Sequence, residues 1–216
     1  MALIKLTYAG VADFMASTPT KQRKILTEYK YPDEDEPRAK VLYYREARDL
    51  ISAYHNGKKE NVWLEEQAIR LSEMAALEPK KSARRTRLEN NSRTLLDYSR
   101  NYKSTSCDIL PQFSHKLEIE GVLISVFPEL HIIERKKEKL VKLDFGKKPH
   151  DDHYNKVSCQ ILYLAALSSG LELPSNAMAV RHIATKTDFK KARAAARVEN
   201  DIEATCGNIS AIWGAL

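Results

Sequence analysis

A chain of 216 residues holds one generous domain, or a domain with a helical appendage, and is too short for two full-sized ones. Hydrophobic residues at 43% and charged residues at 30% suit a soluble core with a charged surface and exclude a chain disordered throughout. The formal net charge of +6, from 35 Lys and Arg against 29 Asp and Glu, favours a polyanionic partner by attraction.

The first residues, Met1 to Gly10, lack the basic start and apolar run of a signal peptide, and no window reaches the ~18 apolar residues of a membrane span. A cytoplasmic protein is expected. Leu6 to Phe14 begins extended and turns helical, and Thr18-Pro19 supplies a cap and a first-turn proline for a basic helix from Thr20 to about Tyr29. The acidic run Pro32-Asp33-Glu34-Asp35-Glu36-Pro37 reads as a solvated loop, because its charges are costly to bury. From Ala39 to His55, Val41, Leu42, Tyr44, Ala47, Leu50, Ile51 and Tyr54 keep helical spacing, and Asn56-Gly57 supplies the stop. A second helix spans about Val62 to Leu77, and Pro79 separates it from a third, Lys80 to Tyr102. That third helix opens on Lys80, Lys81, Arg84, Arg85 and Arg87, with no nearby carboxylate before Glu89; the cluster is a candidate phosphate-binding face or a solvated charged one.

After Pro111 the period changes. His115 to Phe127 alternates on both sides of Gly121 and predicts one strand bulged at the glycine. Leu130 to Arg135 and Leu140 to Phe145 predict two more strands, joined by the charged turn Lys136-Lys137-Glu138-Lys139 into an antiparallel meander. Asp151 to Ser169 is helical and stops at Gly170; Ala177 to Thr185 returns as a strand; Asp188 to Leu216 is an Ala-rich helix docked through Ile202, Ile209, Ile212 and Trp213. This order predicts an α/β (α+β) fold in a single domain, with a helical portion over 1–110 and a sheet-containing core over 111–216 whose mixed sheet is flanked by helices.

The chemistry-bearing residues narrow the function. Cys107, Cys159 and Cys206 are far apart and lack metal-ligand spacing; they read as reduced thiols, Cys159 packed on an apolar helix face. His150-Asp151-Asp152-His153 admits a metal reading, but Asp at a helix start is a natural cap. With seven glycines and no Gly-rich phosphate loop, ATP-driven activity is not expected, nor is a nucleophile-elbow serine hydrolase.

Pro128-Glu129, the strand Leu140-Val141-Lys142-Leu143-Asp144-Phe145-Gly146-Lys147, and Gln160 with Tyr163 on the following helix together resemble the PD-(D/E)XK nuclease superfamily, in particular its RecB-like branch, over about residues 115 to 190. The resemblance implies a metal-dependent hydrolase of nucleic acid, DNA before RNA. It assigns Glu129 and Asp144 to Mg²⁺, Lys142 to the reacting oxygens, and Gln160 and Tyr163 to the sheet-facing side of the helix. The chain departs from that pattern twice: its lysine precedes the acid, and its glutamine and tyrosine stand three apart where the branch has one residue more. Period two still sets Lys142 and Asp144 on one strand face. Three readings stay open: a working Mg²⁺ site; a scaffold that binds nucleic acid without cutting; and a subunit that docks a protein partner through Tyr43, Tyr44, Trp63 and Tyr98. The structural alternative makes Lys142 and Asp144 an exposed strand pair and Glu129 a turn residue.

Overall fold

A computed structural model describes residues 3–32, 43–102, 107–190 and 196–216. The protein is an α/β fold in which helices flank a mixed β-structure, as the order of elements predicts. The chain opens with β1 (Ile4–Thr7) and α1 (Tyr8–Met15), whose N-cap Thr7 accepts from Gly10 N. Next come α2 (Pro19–Lys30), with Pro19 in its first turn, then α3 (Arg45–Asn56), α4 (Asn61–Leu77) and α5 (Ala83–Tyr102). Strands β2 (Cys107–Ile109), β3 (His115–Ile119), β4 (Val122–Val126), β5 (Leu130–Glu134) and β6 (Lys137–Asp144) follow. The fold closes with α6 (Asp152–Ser168), β7 (Met178–His182), β8 (Thr187–Lys190) and α7 (Ala196–Trp213).

The strands form two sheets, β1-β4-β3 and β2-β5-β6-β7-β8. The meander is therefore interrupted between β4 and β5, and the helical portion contributes a strand to each sheet: β1 lies parallel to β4, and β2 antiparallel to β5. β6, α6 and β7 make a crossover that returns β7 parallel to β6, pairing Leu140 with Met178 and Asp144 with His182.

Several boundaries differ from the sequence reading, each for a local reason. The predicted bulged strand His115–Phe127 is a two-strand hairpin, because Glu120 (φ 48°) and Gly121 (φ 76°) both adopt the left-handed region that a two-residue turn requires. The turn after β5 is only Arg135-Lys136, at φ 52° and 62°, so Lys137 and Lys139 belong to β6. The third helix begins at Ala83; Lys80 and Lys81 sit in the turn before it. The strand after α6 is shorter than predicted, and Asp188 lies in β8, where it faces Arg181 across the ladder, before the closing helix starts. Asp33 to Pro37, and Ala39 to Leu42 of the predicted helix from Ala39 to His55, lie outside the described residues.

Alternation along β6 and β7 sends side chains to two cores. Leu140, Met178 and Val180 join α1, α2, α6, α7 and the three-stranded sheet. Val141, Leu143 and Ala179 join α3, α4 and α5 on the opposite face. Because β6 is buried on both faces, any polar side chain on it must find partners inside the protein.

Candidate functional site

Lys142 and Asp144 follow Leu140 at period two, so they share the sheet face covered by α1 and α6. They are buried, at 9% and 4% exposure, which overturns the exposed strand pair. Pro128 and Glu129 occupy the bend between β4 and β5, and Glu129 Oε2 accepts from the backbone N–H of Leu143 at 2.9 Å. That bond anchors the Glu129 carboxylate on β6, midway between Lys142 and Asp144 in the chain. Lys142 Nζ lies 5.0 Å from the centre of the Tyr8 ring. Burial alone would lower the lysine's pKa, but the surrounding acidic groups, the Glu129 and Asp144 carboxylates among them, hold it well above the usual lysine range. Lys142 is thus a fixed cation. Burial pushes the Tyr8 and Tyr154 phenols up, so both stay neutral.

Asp144 is held by the loop that follows it. Its Oδ1 accepts from Gly146 N at 2.9 Å and its Oδ2 from His150 N at 3.3 Å. His182, at the end of β7, pins the same loop through Nε2 to Gly146 O at 2.9 Å, and His150 stacks on Tyr154 at 3.8 Å. Asp151 caps α6 by accepting from Tyr154 N at 2.7 Å, so its role in the His-Asp-Asp-His run is that of a helix cap. Phe145, Lys147 and Lys148 occupy the same turn, the two lysines exposed. The cluster therefore stands at the carboxyl ends of a parallel strand pair, where open α/β sheets place their ligand sites.

Gln160 and Tyr163 are not brought into this cluster. Tyr154 marks the side of α6 that faces Lys142, and at ~100° per residue Gln160 lies about 120° and Tyr163 about 180° round the axis from it. Gln160 turns instead to α7, where its Nε2 donates to Glu199 Oε2 at 3.2 Å, and its buried Oε1 has no hydrogen-bond partner among the described residues. Tyr163 is half-buried against the same core. Tyr8 and Tyr154, which the sequence reading did not single out, take the places nearest Lys142. Tyr154 carried one signal: it is the third residue after the capping Asp151, on the sheet-facing side of the first turn.

The basic start of α5 is more neutralised than its sequence suggests. Arg84 pairs with Glu78 at 3.2 Å, Arg85 with Glu89 at 2.8 Å and Arg87 with Glu46 at 3.1 Å, two of these carboxylates coming from α4's end and α3. Lys80 and Lys81 stand exposed in the preceding turn. Of the four aromatic residues read as a contact surface, Tyr98 is fully buried and bonds His55 Nε2 at 2.7 Å, so it belongs to the core. Trp63 is half-buried against that core, while Tyr43 and Tyr44 lie beside the Asp144 loop. Cys159 is fully buried, as expected of a packed thiol.

Two carboxylates, one ammonium and the His150 ring, whose Nε2 lies 3.7 Å from Asp144 Oδ1, form the cluster's ionisable set. Among the described residues, no three His, Cys, Asp or Glu side chains gather as an all-protein metal cage would need. Mg²⁺ uses one or two carboxylates when water and substrate phosphate complete its shell, and Glu129 and Asp144 are the two carboxylates this cluster offers. No helix among the described residues is long and apolar enough to cross a membrane. Compared with known proteins, the chain matches no family model and no curated protein.

Proposed function

We propose that the protein is a divergent Mg²⁺-dependent nuclease that hydrolyses phosphodiester bonds in nucleic acid. One observation carries the reading: Glu129, Lys142 and Asp144 gather on one sheet face at the carboxyl end of β6, two carboxylates against a single fixed ammonium. The two carboxylates stand in a poorly solvated place with one ammonium that pairs closely with neither, an arrangement that a divalent cation would complement. Glu129 and Asp144 would hold the ion, which when bound supplies an activated water and offsets charge on the phosphate. Lys142 donates to a phosphate or leaving oxygen, and its position over Tyr8 keeps the ammonium from swinging away. The exposed Lys147 and Lys148 beside the cluster, with Lys80 and Lys81 elsewhere on the surface, attract the polymer's backbone.

The test is cleavage of end-labelled single- and double-stranded DNA by the purified protein with Mg²⁺ or Mn²⁺, against the same reaction in EDTA. Cleavage is expected only with metal, and neither Glu129→Gln nor Asp144→Asn should support it. Cleavage that survives in Asp144→Asn would point to another site or to a contaminant and end this reading.

A protein that binds nucleic acid without cutting is favoured by Gly146. The nuclease pattern puts its lysine two residues after the acid, at position 146. A Cβ there would come within 2.9 Å of Lys148 O and 3.0 Å of Asp144 Oδ1. The backbone leaves no space for that lysine, and Lys142 replaces it from the other side of Asp144. Salt-sensitive binding with no cleavage under any metal is the outcome this reading expects, weakened when Lys80, Lys81, Arg84 and Arg85 are removed together.

A further inference from the structure

Beside the carboxylate cluster lies a group of rings that the proposed chemistry leaves unused. Phe145, the residue after Asp144, stacks on Tyr44 with ring centres 5.0 Å apart and planes 13° from parallel. Tyr43 lies against Tyr44 in an edge-type contact, with ring centres 5.0 Å apart and planes at 69°. Asn90 and Asn91 of α5 hold Tyr43 in place, through its hydroxyl and its carbonyl, each at 2.6 Å. All three rings are half-buried, and they stand among charge: Asp144 and the exposed Arg93 both act on the Tyr44 phenol, while Lys147 and Lys148 follow Phe145 in the chain. Phe145 packs against the α3–α5 core, the Tyr44 ring stacked on it stays half-buried, and the exposed Arg93 stands near Tyr44.

The geometry points to Tyr44, with Phe145 and Tyr43 behind it, as a stacking platform for an unpaired base of a single-stranded nucleic acid whose backbone runs past Arg93, Lys147 and Lys148 toward Asp144. The inference rests on the nucleic-acid reading above and adds the strand state of the polymer. A duplex keeps its bases stacked on each other and offers no free face to a ring; a single strand offers one at every nucleotide. The cations supply attraction without sequence preference, and the rings supply the discrimination between single strand and duplex.

The test uses the full chain in EDTA, so that binding is read apart from cleavage. Fluorescence anisotropy compares a labelled 20-nucleotide oligothymidylate with a duplex of the same length, and a second strand carries 2-aminopurine, whose emission falls when it stacks. The wild type is expected to prefer the single strand and to quench 2-aminopurine. Tyr44→Leu keeps apolar volume against Phe145 but has no ring face; it should lose roughly tenfold in single-strand affinity, the scale of one base–aromatic stack. Its duplex affinity and melting temperature should stay near the wild type's. Tyr44→Phe should behave as wild type. Equal affinity of the wild type for both polymers, or single-strand binding by Tyr44→Leu at the wild-type level, overturns the platform and leaves nucleic-acid binding standing. Binding of neither polymer at low salt overturns the nucleic-acid reading itself.

Discussion

The five-stranded sheet carries a charged cluster on each face, and the two are built on opposite principles. On the α3–α5 face, Arg181 is 2% exposed and spans Glu134 Oε1 at 2.9 Å and Asp188 at 2.9 and 3.0 Å, while Lys139 pairs with Glu134 from the next strand. Two cations meet two carboxylates. His55 continues the network as a neutral ring, joined to Tyr98 at 2.7 Å and to Cys107 Sγ at 3.1 Å. On the α1–α6 face, the Lys142 ammonium sits over Tyr8 within electrostatic reach of the Glu129 and Asp144 carboxylates without closing an ion pair with either, and the His150 ring approaches Asp144 Oδ1 at 3.7 Å. The first set is balanced in charge and ties strands to helices, although Arg181 Nη1 is a buried donor with no hydrogen-bond partner among the described residues. The second set carries more carboxylate than ammonium, and the proposed function draws on that face.

The sharpest way to break the comparison is Arg181→Ala. It leaves Glu134 and Asp188 facing each other with Lys139 as their one close cation, and breaking a buried pair from one side costs about 3–5 kcal/mol. Chemical denaturation should show that loss, or no folded protein. A loss under about 1 kcal/mol would mean that the network does not hold the sheet to its helices.

The same face predicts a pH dependence. Burial, then the nearby Arg181, hold the His55 ring down to about 4 from an ordinary 6.5. Between those values the unfolded chain binds a proton that the native protein refuses, so stability is full above pH 6.5 and falls as pH drops toward 4. The whole step is about 3 kcal/mol. Urea titrations at pH 7 and pH 4.5 should differ accordingly, and in His55→Gln the part of the difference due to this residue should vanish.

Gly146 links the comparison to the other face. Ala there would drive its Cβ to 2.9 Å from a backbone oxygen, which cannot retreat as a flexible side chain can, at a cost of about 1–3 kcal/mol. The loop would have to shift, and with it the N–H groups that hold Asp144. Loss of melting temperature with unchanged activity would show that the loop geometry does not matter to the cluster.

How much of this was legible in the sequence depends on whether a feature is local. The Thr18-Pro19 start of α2 and the Asp151 cap of α6 are signalled by residues a few positions apart, and both elements lie where their caps put them. Lys142 and Asp144 sharing a face follows from strand period alone. The Glu120-Gly121 hairpin was hidden because apolar alternation continues on both sides of it; the turn after β5 was expected but set too late and too long, because neither Arg135 nor Lys136 advertises a left-handed backbone. The balanced network was invisible for a different reason. His55, Tyr98, Glu134, Arg181 and Asp188 come from five elements, and no spacing in one chain announces a meeting that only the assembled sheet creates. Tyr8 was missed likewise, since β1 enters the sheet beside β4, more than a hundred residues on.

The smallest expected change in stability should accompany the largest change in chemistry. Glu129 is half-buried, and in Glu129→Gln the amide oxygen can still accept the Leu143 N–H, so the folded state loses under about 1 kcal/mol. What disappears is a negative charge. Asp144 is then the cluster's one carboxylate, beside Lys142 and the His150 ring, and its capacity to take up a cation falls. Metal-dependent cleavage should fall on the order of a hundredfold or more, as when one group that stabilises a transition state's charge is removed. Melting curves of wild type and variant should nearly superimpose. If Glu129→Gln instead unfolds the protein as Arg181→Ala does, both faces are structural, and the charge left over beside Lys142 is part of the fold.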